Sequence, residues 1–216
     1  MEIIWYSLFL YFRYPLSLRQ VAEMLEFRGI AVDHSSIYRW IIKFGPVLEE
    51  KFRKYKLPVS GSWRVNETYI KVKAEWKYLY RAVDKYGQTI DFLLSAKRDM
   101  KAAKRFFKKA IRHNGQPIKT TIDKSGANLA GIQAVNDENR HQIEIRQIKY
   151  LNNIIEQDHR SIKRQVNPML GFKEFFSAKI IIAGIEIMSM IFKGQSGYMP
   201  LIDRTPMAAF WAIVKT

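Results

Sequence analysis

The 216-residue sequence contains no cysteine. This excludes disulfide bonds, zinc sites built on thiolates and cysteine nucleophiles. A chain without disulfides fits a reducing compartment, and we expect the protein to be cytoplasmic.

No apolar run in the sequence reaches the length of a membrane span. Residues 1–12 are apolar and aromatic, but they run directly into Arg13 and lack the positive start and small-residue cleavage site of a signal peptide. Residues 178–192 are interrupted by Glu186 and fall short of the roughly 20 residues that a span needs. We interpret this second run as a buried core helix and expect no membrane partner.

Acidic residues are few: 20 Asp and Glu stand against 36 Lys and Arg, for a formal net charge of +16. Such an excess favours a polyanion as partner. The basic residues are spread over both halves of the chain rather than gathered beside one apolar segment, which favours nucleic acid over a membrane surface. The alternative is a basic surface without a binding role.

The first 46 residues predict three short helices. Ser17 and Gln20 form a capping-box pattern at the start of the second helix, Gly29 marks a turn, and the third helix runs from His34 to the Gly45–Pro46 pair. This order is typical of a helix-turn-helix, although a plain three-helix bundle shares it. The residues expected to contact DNA from the third helix are Ser35, Ser36, Tyr38, Arg39 and Lys43.

After residue 61 the pattern changes from helical to β-rich. We predict an N-terminal domain over 1–46, a linker over 47–61, a catalytic domain over 62–197 and a loop-rich tail over 198–216 whose Phe210 and Trp211 pack back. Three antiparallel strands followed by alternating helices and strands indicate an α/β fold with a mixed sheet. The predicted strands are 63–72, 76–84, 89–95, 117–123 and 140–147, and the predicted helices are 100–113, 127–136, 152–165 and 175–192.

Two acidic residues are placed where chemistry is expected. Asp123 closes an apolar strand and should emerge at a sheet edge, where open α/β sheets hold their sites. Glu156 lies in a helical pattern with Arg160 and Lys163 on the same face. That face is either a solvated ladder of ion pairs or an acid that binds metal while its neighbours hold DNA phosphates.

Five segments together resemble the DDE transposases of bacterial insertion sequences, in the replicative, cointegrate-forming group called insertion-sequence family six. The resemblance implies a ribonuclease-H-like catalytic domain, a helix-turn-helix for the terminal inverted repeats, and two Mg²⁺ or Mn²⁺ ions. It also implies double-stranded DNA as partner, a homodimer or higher synaptic complex, and association with the nucleoid. The matching segments are residues 32–40, 67–72, 78–84, 149–159 and 184–186.

The resemblance assigns Asp123 and Glu156 as catalytic metal ligands, but Asn66 occupies the place of the first Asp. An amide offers a neutral oxygen where the site needs an anion beside two dications. Glu67, Asp84 and Asp91 are the neighbouring acids that would have to compensate. Near Glu156, the residues expected to contact DNA are Lys149, His159, Arg160 and Lys163.

Two functions follow from these features. The first is a transposase that binds terminal inverted repeats and catalyses metal-dependent strand cleavage and transfer, impaired because residue 66 is Asn. The alternative is a catalytically inactive DNA-binding protein, a decayed or regulatory transposase that occupies transposon ends.

Overall fold

The computed structural model describes residues 1–124, 126–138, 142–197 and 205–216, which divide into two compact units. The first unit comprises Met1–Leu57 and Ile162–Thr216, and the second comprises Pro58–Ser161. In chain order the helices and strands are α1 (Glu2–Arg13), α2 (Leu18–Glu26), α3 (His34–Tyr55), β1 (Ser62–Val72), β2 (Glu75–Asp84), β3 (Thr89–Ser95), α4 (Met100–Asn114), β4 (Lys119–Ile122), α5 (Gly126–Asn136), β5 (Glu144–Arg146), α6 (Asn153–Val166), α7 (Phe175–Phe192) and α8 (Pro206–Lys215).

Helix α7 forms the core of the first unit. It is long and apolar enough by composition to cross a membrane, yet most of its residues are buried against α1, α3 and α8. A helix that is apolar on every side needs neighbours on every side, and these three helices supply them. Residues 178–192 are therefore part of a core helix, as the sequence predicts.

Two glycines allow the helices of this unit to approach closely. A Cβ atom at Gly45 on α3 would lie 2.6 Å from Cγ2 of Ile180 on α7. A Cβ atom at Gly184 on α7 would overlap the ring of Phe12 on α1. The absence of side chains at these two positions thus sets the spacing of α7 from α1 and α3.

Helix α3 does not end at Pro46, as the sequence suggested, but continues to Tyr55. Proline has no N–H to donate within the helix, which normally weakens the helix there. The helix nevertheless continues because its apolar stripe continues: Leu48 and Phe52 are fully buried on the same face as Ile41. Packing of this face outweighs the local cost of the proline, so residues 47–55 belong to a helix rather than to a linker.

The turn between α2 and α3 has the predicted chemistry. The capping box is present, with the Oγ of Ser17 accepting from the backbone N–H of Gln20, and the Gln20 side chain accepting from the N–H of Ser17. Gly29 has a φ of +73°, a value that favours glycine. At the start of α3 the carboxylate of Asp33 accepts from the N–H of Ser35 at 2.8 Å. Hydrogen bonding to the Ser35 side chain, and next to this backbone N–H, holds the pKa of Asp33 below its usual value.

The tail is more regular than predicted. Within the described residues 205–216, helix α8 is capped by Thr205, and Phe210 is fully buried with its ring 5.2 Å from that of Phe9. Phe210 therefore packs back as expected, but from a helix instead of a loop. Residues 198–204, also part of the predicted tail, lie outside the described residues.

The second unit is built on a five-stranded mixed sheet in the order β3-β2-β1-β4-β5. The first three strands are antiparallel, β4 runs parallel to β1, and β5 runs parallel to β4. One face of the sheet packs against α4 and α5 through a core that includes Val65, Phe106 and Ile122. This mixed sheet, preceded in the chain by the N-terminal helices, confirms the predicted α/β fold with a mixed sheet.

The unit boundaries differ from the predicted domains. The break between Leu57 and Pro58 falls inside the predicted linker, but α7 belongs to the unit of the N-terminal helices instead of the predicted 62–197 domain. The unit to which an apolar helix belongs depends on the helices that it packs against. Its position in the sequence does not determine these contacts. Of the strand predicted over 140–147, residues 144–146 form β5, and Arg140 lies outside the described residues.

A buried ion pair ties α6 to the sheet. A guanidinium N–H of Arg81, in the middle of β2, donates to the carboxylate of Asp158 on α6 at 2.7 Å. The Arg81 side chain is completely buried and that of Asp158 nearly so. Because a buried charge is tolerated only with a well-placed partner, this contact fixes which face of the sheet α6 covers.

We predict that Gly184→Ala lowers the free energy of unfolding by about 1–3 kcal/mol, since the added methyl group must displace the ring of Phe12. Urea unfolding followed by circular dichroism measures the change. Gly126→Ala is the matched control, because nothing described lies within 4 Å of a Cβ atom there. Equal midpoints for the two variants would contradict the close approach of α7 and α1.

We predict that Asp158→Asn destabilises the chain by about 3–5 kcal/mol, because it leaves the guanidinium of Arg81 buried without its counter-charge. Thermal unfolding provides the measurement. Glu138→Gln serves as the control, since it breaks ion pairs of an exposed carboxylate with Lys104 and Lys108 and should leave stability nearly unchanged. If the two substitutions had the same small effect, Asp158 would not anchor α6.

Candidate active site

Strands β1 and β4 bring Asn66 and Asp123 together. Val65 pairs with Ile122 in the parallel β1–β4 ladder, and Asn66 and Asp123 are the residues that directly follow this pair. Neighbouring strands lie about 4.8 Å apart, so the two backbones are adjacent at these positions. The family resemblance alone predicted that Asn66 and Asp123 are neighbours. The β1–β4 register explains why their backbones are adjacent.

The side chain of Asn66 belongs to the α6 face of the sheet. Asn66 pairs across the antiparallel ladder with Arg81, whose guanidinium reaches Asp158 on α6. The amide oxygen of Asn66 accepts a hydrogen bond from the backbone N–H of Glu67 at 2.9 Å. A neutral amide that binds its own backbone therefore stands where the family resemblance requires a carboxylate.

Glu156 is exposed on the flank of α6. Ile155 and His159 belong to the buried stripe of this helix, and Asp158 and Glu156 lie on opposite sides of that stripe at helical spacing. Since Asp158 reaches toward β2, Glu156 lies on the flank away from β2. The 3-10 turn that precedes α6 (Lys149–Asn152) contacts β1 and β4, so the helix begins over the strands that carry Asn66 and Asp123.

At the end of β4 a polar network connects the Asp123 carboxylate with Glu67, which alternation along β1 places on the face opposite Asn66. The Glu67 carboxylate accepts from Arg98 and, at 2.7 Å, from the side-chain amide of Asn128 on α5. The same amide lies 3.4 Å from a carboxylate oxygen of Asp123, and a guanidinium nitrogen of Arg98 lies 3.8 Å from the other. Arg98 and Asn128 therefore hold the Asp123 carboxylate against Glu67.

The charged groups in this network shift the pKa values of their neighbours. Burial is the largest single influence on the pKa of Arg98 and lowers it, but the charge and hydrogen bond of Glu67, together with smaller contributions from Tyr69 and Asp123, raise the pKa overall. Burial also raises the pKa of Tyr80 to about 12, and the charge of Glu67 adds to the shift. Glu67 thus acts as the local anion of this face, and alternation along β1 points it away from Asn66.

Asp84 and Asp91 have structural roles. The carboxylate of Asp84 accepts from the backbone N–H groups of Ser60, Tyr86 and Gln88, at 2.8–3.0 Å, and so holds the β2–β3 turn. Asp91 pairs with Lys109 at 3.2 Å and His113 at 2.8 Å, both on α4. Neither aspartate is placed to replace a carboxylate at position 66.

The side chains present do not fit a pair of divalent ions. Two bridged dications require anionic oxygen ligands from several sides, and Asn66 offers none. Within the described ranges no group of three or more His, Asp or Glu side chains could hold a metal ion. The Asp123 carboxylate is instead held by Arg98 and Asn128.

The residues expected to contact DNA fall into three groups. Ser35, Tyr38, Arg39 and Lys43 are exposed on α3, and Ser36 is half-buried. Arg160 and Lys163 are exposed on α6. His159 is only 6% exposed because it lies in the buried stripe of α6, so it is not presented to a phosphate as expected; the side chain of Lys149 lies outside the described part of the chain.

Sequence reasoning missed four residues that shape the site: Arg81, Asp158, Arg98 and Asn128. One signal was available, because an arginine in the centre of an apolar strand requires an anionic partner. The partner itself, 77 residues away on α6, cannot be identified from spacing. Nothing in the local sequence marks Asn128, whose role arises only from the packing of α5 on the sheet.

Comparison with known proteins finds relatives over most of the chain. The family model described as "DDE domain" (DDE_Tnp_IS240) matches residues 60–195. Two transposases of Staphylococcus aureus, one for the insertion sequence-like element IS431mec and one for the insertion sequence element IS257 in transposon Tn4003, are each 36% identical over 206 residues. Each match covers 95% of this chain and 91% of the relative.

Among solved structures, this chain is similar to retroviral integrase cores. The HTLV-2 integrase catalytic core domain in complex with magnesium has a TM-score of 0.47 at 18% identity, over 60% of this chain and 84% of that one. The catalytic core domain of BIV integrase has a TM-score of 0.45 at 12% identity, over 70% and 94%. On the family model and the S. aureus relatives, the chain belongs to the DDE transposases of bacterial insertion sequences, in insertion-sequence family six.

Proposed function

We propose that this transposase binds the terminal inverted repeats of its element through α3 and carries a strand-transfer site that is impaired at Asn66. The observation that carries the proposal is the β1–β4 register, which sets Asn66 beside Asp123. Asp123 and Glu156 are the two carboxylates proposed to act there. Arg160 and Lys163, exposed on the helix that carries Glu156, are proposed to hold DNA phosphates.

The impairment follows from one missing charge. Strand transfer in this family is a metal-dependent displacement at a phosphodiester, for which the protein supplies anionic ligands and correct positioning. With Asn66 the site lacks one full negative charge, and the acids that could replace it on the strands β1 to β3, Glu67, Asp84 and Asp91, are engaged elsewhere. Restoring that carboxylate should restore the ligand set for Mg²⁺ or Mn²⁺, which we propose to bind as two ions.

The alternative function, a DNA-binding protein that occupies transposon ends, is favoured by the surface of α3. Its exposed side chains Ser35, Tyr38, Arg39 and Lys43 do not depend on position 66. Arg39 lies over the first turn, with its guanidinium 3.3–3.4 Å from oxygens of Ser35 and Ser36. A chain that binds ends without cutting them would compete with active copies.

We further propose that this chain acts on double-stranded DNA as a homodimer or higher synaptic complex, and that it is a cytoplasmic protein associated with the nucleoid.

We predict that Asn66→Asp raises Mg²⁺-dependent cleavage and joining of DNA carrying the inverted repeats by at least about 100-fold, since losing a key electrostatic group at an active site costs about 10²–10³ in rate. Gel assays of labelled ends measure both steps. Asn66→Asp combined with Asp123→Ala should be inactive. Equal activity of the original chain and Asn66→Asp would show that position 66 is not the defect.

We predict that Arg39→Ala with Lys43→Ala weakens binding to the terminal inverted repeats and lowers the salt dependence of that binding, by about one unit of slope for each phosphate that the variant no longer binds. Fluorescence anisotropy at several salt concentrations gives both values. Lys54→Ala is the matched control, an exposed cation in the last turn of the same helix. A weakening of equal size in the control would mean that α3 contributes only general charge.

A further inference from the structure

The β1–β2 hairpin carries a group of exposed aromatic rings. Tyr69 is 47% exposed and Trp76 is 62% exposed, and the half-buried Tyr78 lies between them and the core. The ring centroids of Tyr69 and Trp76 are 6.4 Å apart at 79°, and those of Tyr69 and Tyr78 are 5.5 Å apart. Because both rings are this exposed, each keeps surface open to a further planar group.

These rings share one face of the hairpin because of the strand register. Tyr69 pairs with Tyr78, and Lys71 pairs with Trp76, and directly opposed residues of an antiparallel pair point to the same side. The hairpin turns at Lys73 and Ala74, both with positive φ, as expected of a tight two-residue turn. The four paired residues therefore form a continuous surface, which we call the hairpin patch.

The hairpin patch is positively charged at its rim. Lys71 and Lys73 are exposed, and neither lies within ion-pair distance of a carboxylate among the described side chains, although the charge of Lys73 adds to that of Lys77 in lowering the pKa of Glu75. The neighbouring Lys77, by contrast, pairs with Glu75 at 2.6 Å. Aromatic faces bordered by free ammonium groups are the combination that binds single-stranded nucleic acid, in which bases stack and phosphates meet cations.

The hairpin patch is continuous with the candidate active site. Tyr69 lies on the same face of β1 as Glu67, two residues earlier, and Glu67 accepts a hydrogen bond from Arg98. Arg98 in turn lies 3.8 Å from the carboxylate of Asp123. A DNA strand that reaches Asp123 can therefore extend directly onto the exposed rings.

We propose that the hairpin patch binds unpaired bases of a DNA strand at the end of the element, next to the site of strand transfer. Tyr69 and Trp76 stack on the bases, and Lys71 and Lys73 contact the adjoining phosphates. The bases must be unpaired, because in a duplex each base face is covered by its neighbours. The transpositional role of this surface rests on the function proposed above, but its preference for single strands can be tested separately.

A second copy of the chain is the other possible occupant, and the size of the surface disfavours it. A stable protein–protein interface needs about 20–30 residues on each side, and lysine is depleted from its centre. The hairpin patch offers four residues, one of them lysine, with a second lysine at the turn. This area matches one or two nucleotides.

The test uses the full chain and three labelled probes: a single-stranded oligonucleotide of about 12 nucleotides, within the site sizes known for single-strand binders, a blunt duplex of the inverted repeat, and the same duplex with an unpaired end. Fluorescence anisotropy gives the affinities. The variants are Tyr69→Ala with Trp76→Ala, and Trp76→Phe, which keeps a stacking ring. Tyr86→Ala is the matched control, because Tyr86 is 73% exposed and has Lys85 4.7 Å from its ring.

We expect the double variant to bind the single strand and the unpaired end about 10-fold or more weakly, since each stacked base contributes strongly to affinity. Trp76→Phe and Tyr86→Ala should bind like the original chain, and affinity for the blunt duplex should be unchanged in every variant. The same affinity loss in Tyr86→Ala, no loss in the double variant, or no single-strand binding at all would overturn the proposal. So would a change in sedimentation of the double variant without a change in single-strand affinity, which would assign the surface to a second copy.

These outcomes separate the two proposals. If the original chain fails to bind the blunt inverted repeat but its single-strand binding depends on Tyr69 and Trp76, the proposed recognition of transposon ends is wrong and the stacking surface stands. If duplex binding is normal and the double variant has no effect, only the stacking surface is wrong.

Discussion

The buried contact between Arg81 and Asp158 is the interaction on which the candidate site depends. A fully buried guanidinium needs an anionic partner, and Arg81 pairs with the carboxylate of Asp158 on α6. This ion pair determines which face of the sheet α6 covers. It therefore also determines on which side of α6 Glu156 is exposed. Since Asn66 lies opposite Arg81 on the neighbouring strand, the same contact places the helix beside position 66.

The side chains on the two faces of β1 make different contacts. Asn66 points toward α6, where the family resemblance requires an anion. Glu67 points toward α5 and accepts from Arg98 and Asn128, the two residues that also contact Asp123. A carboxylate one residue away is thus unable to compensate for the amide, because alternation along a strand sends neighbouring side chains to opposite faces. Residues 66 and 67 are adjacent in the sequence, but their side chains lie on opposite faces of the sheet.

Much of the fold could be predicted because its signals are local. The bounds of β3 and α7 match the predicted ranges, and the capping box at Ser17 has the predicted contacts. Predictions went wrong where packing overrides local preference: α3 continues through Pro46 because Leu48 and Phe52 are buried, and the tail contains α8 because Phe210 packs on Phe9. His159 was assigned to DNA from its neighbours, but helical periodicity turns it inward.

The sequence alone determines three features: the family, the succession of helices and strands, and the amide at the first acidic position. Each of them depends only on the identity and spacing of residues. Which residues meet is settled by the tertiary structure. The pairing of Arg81 with Asp158 spans 77 positions and that of Glu67 with Asn128 spans 61. Contacts of such range depend on strand register and helix packing, which arise only when the whole unit has folded.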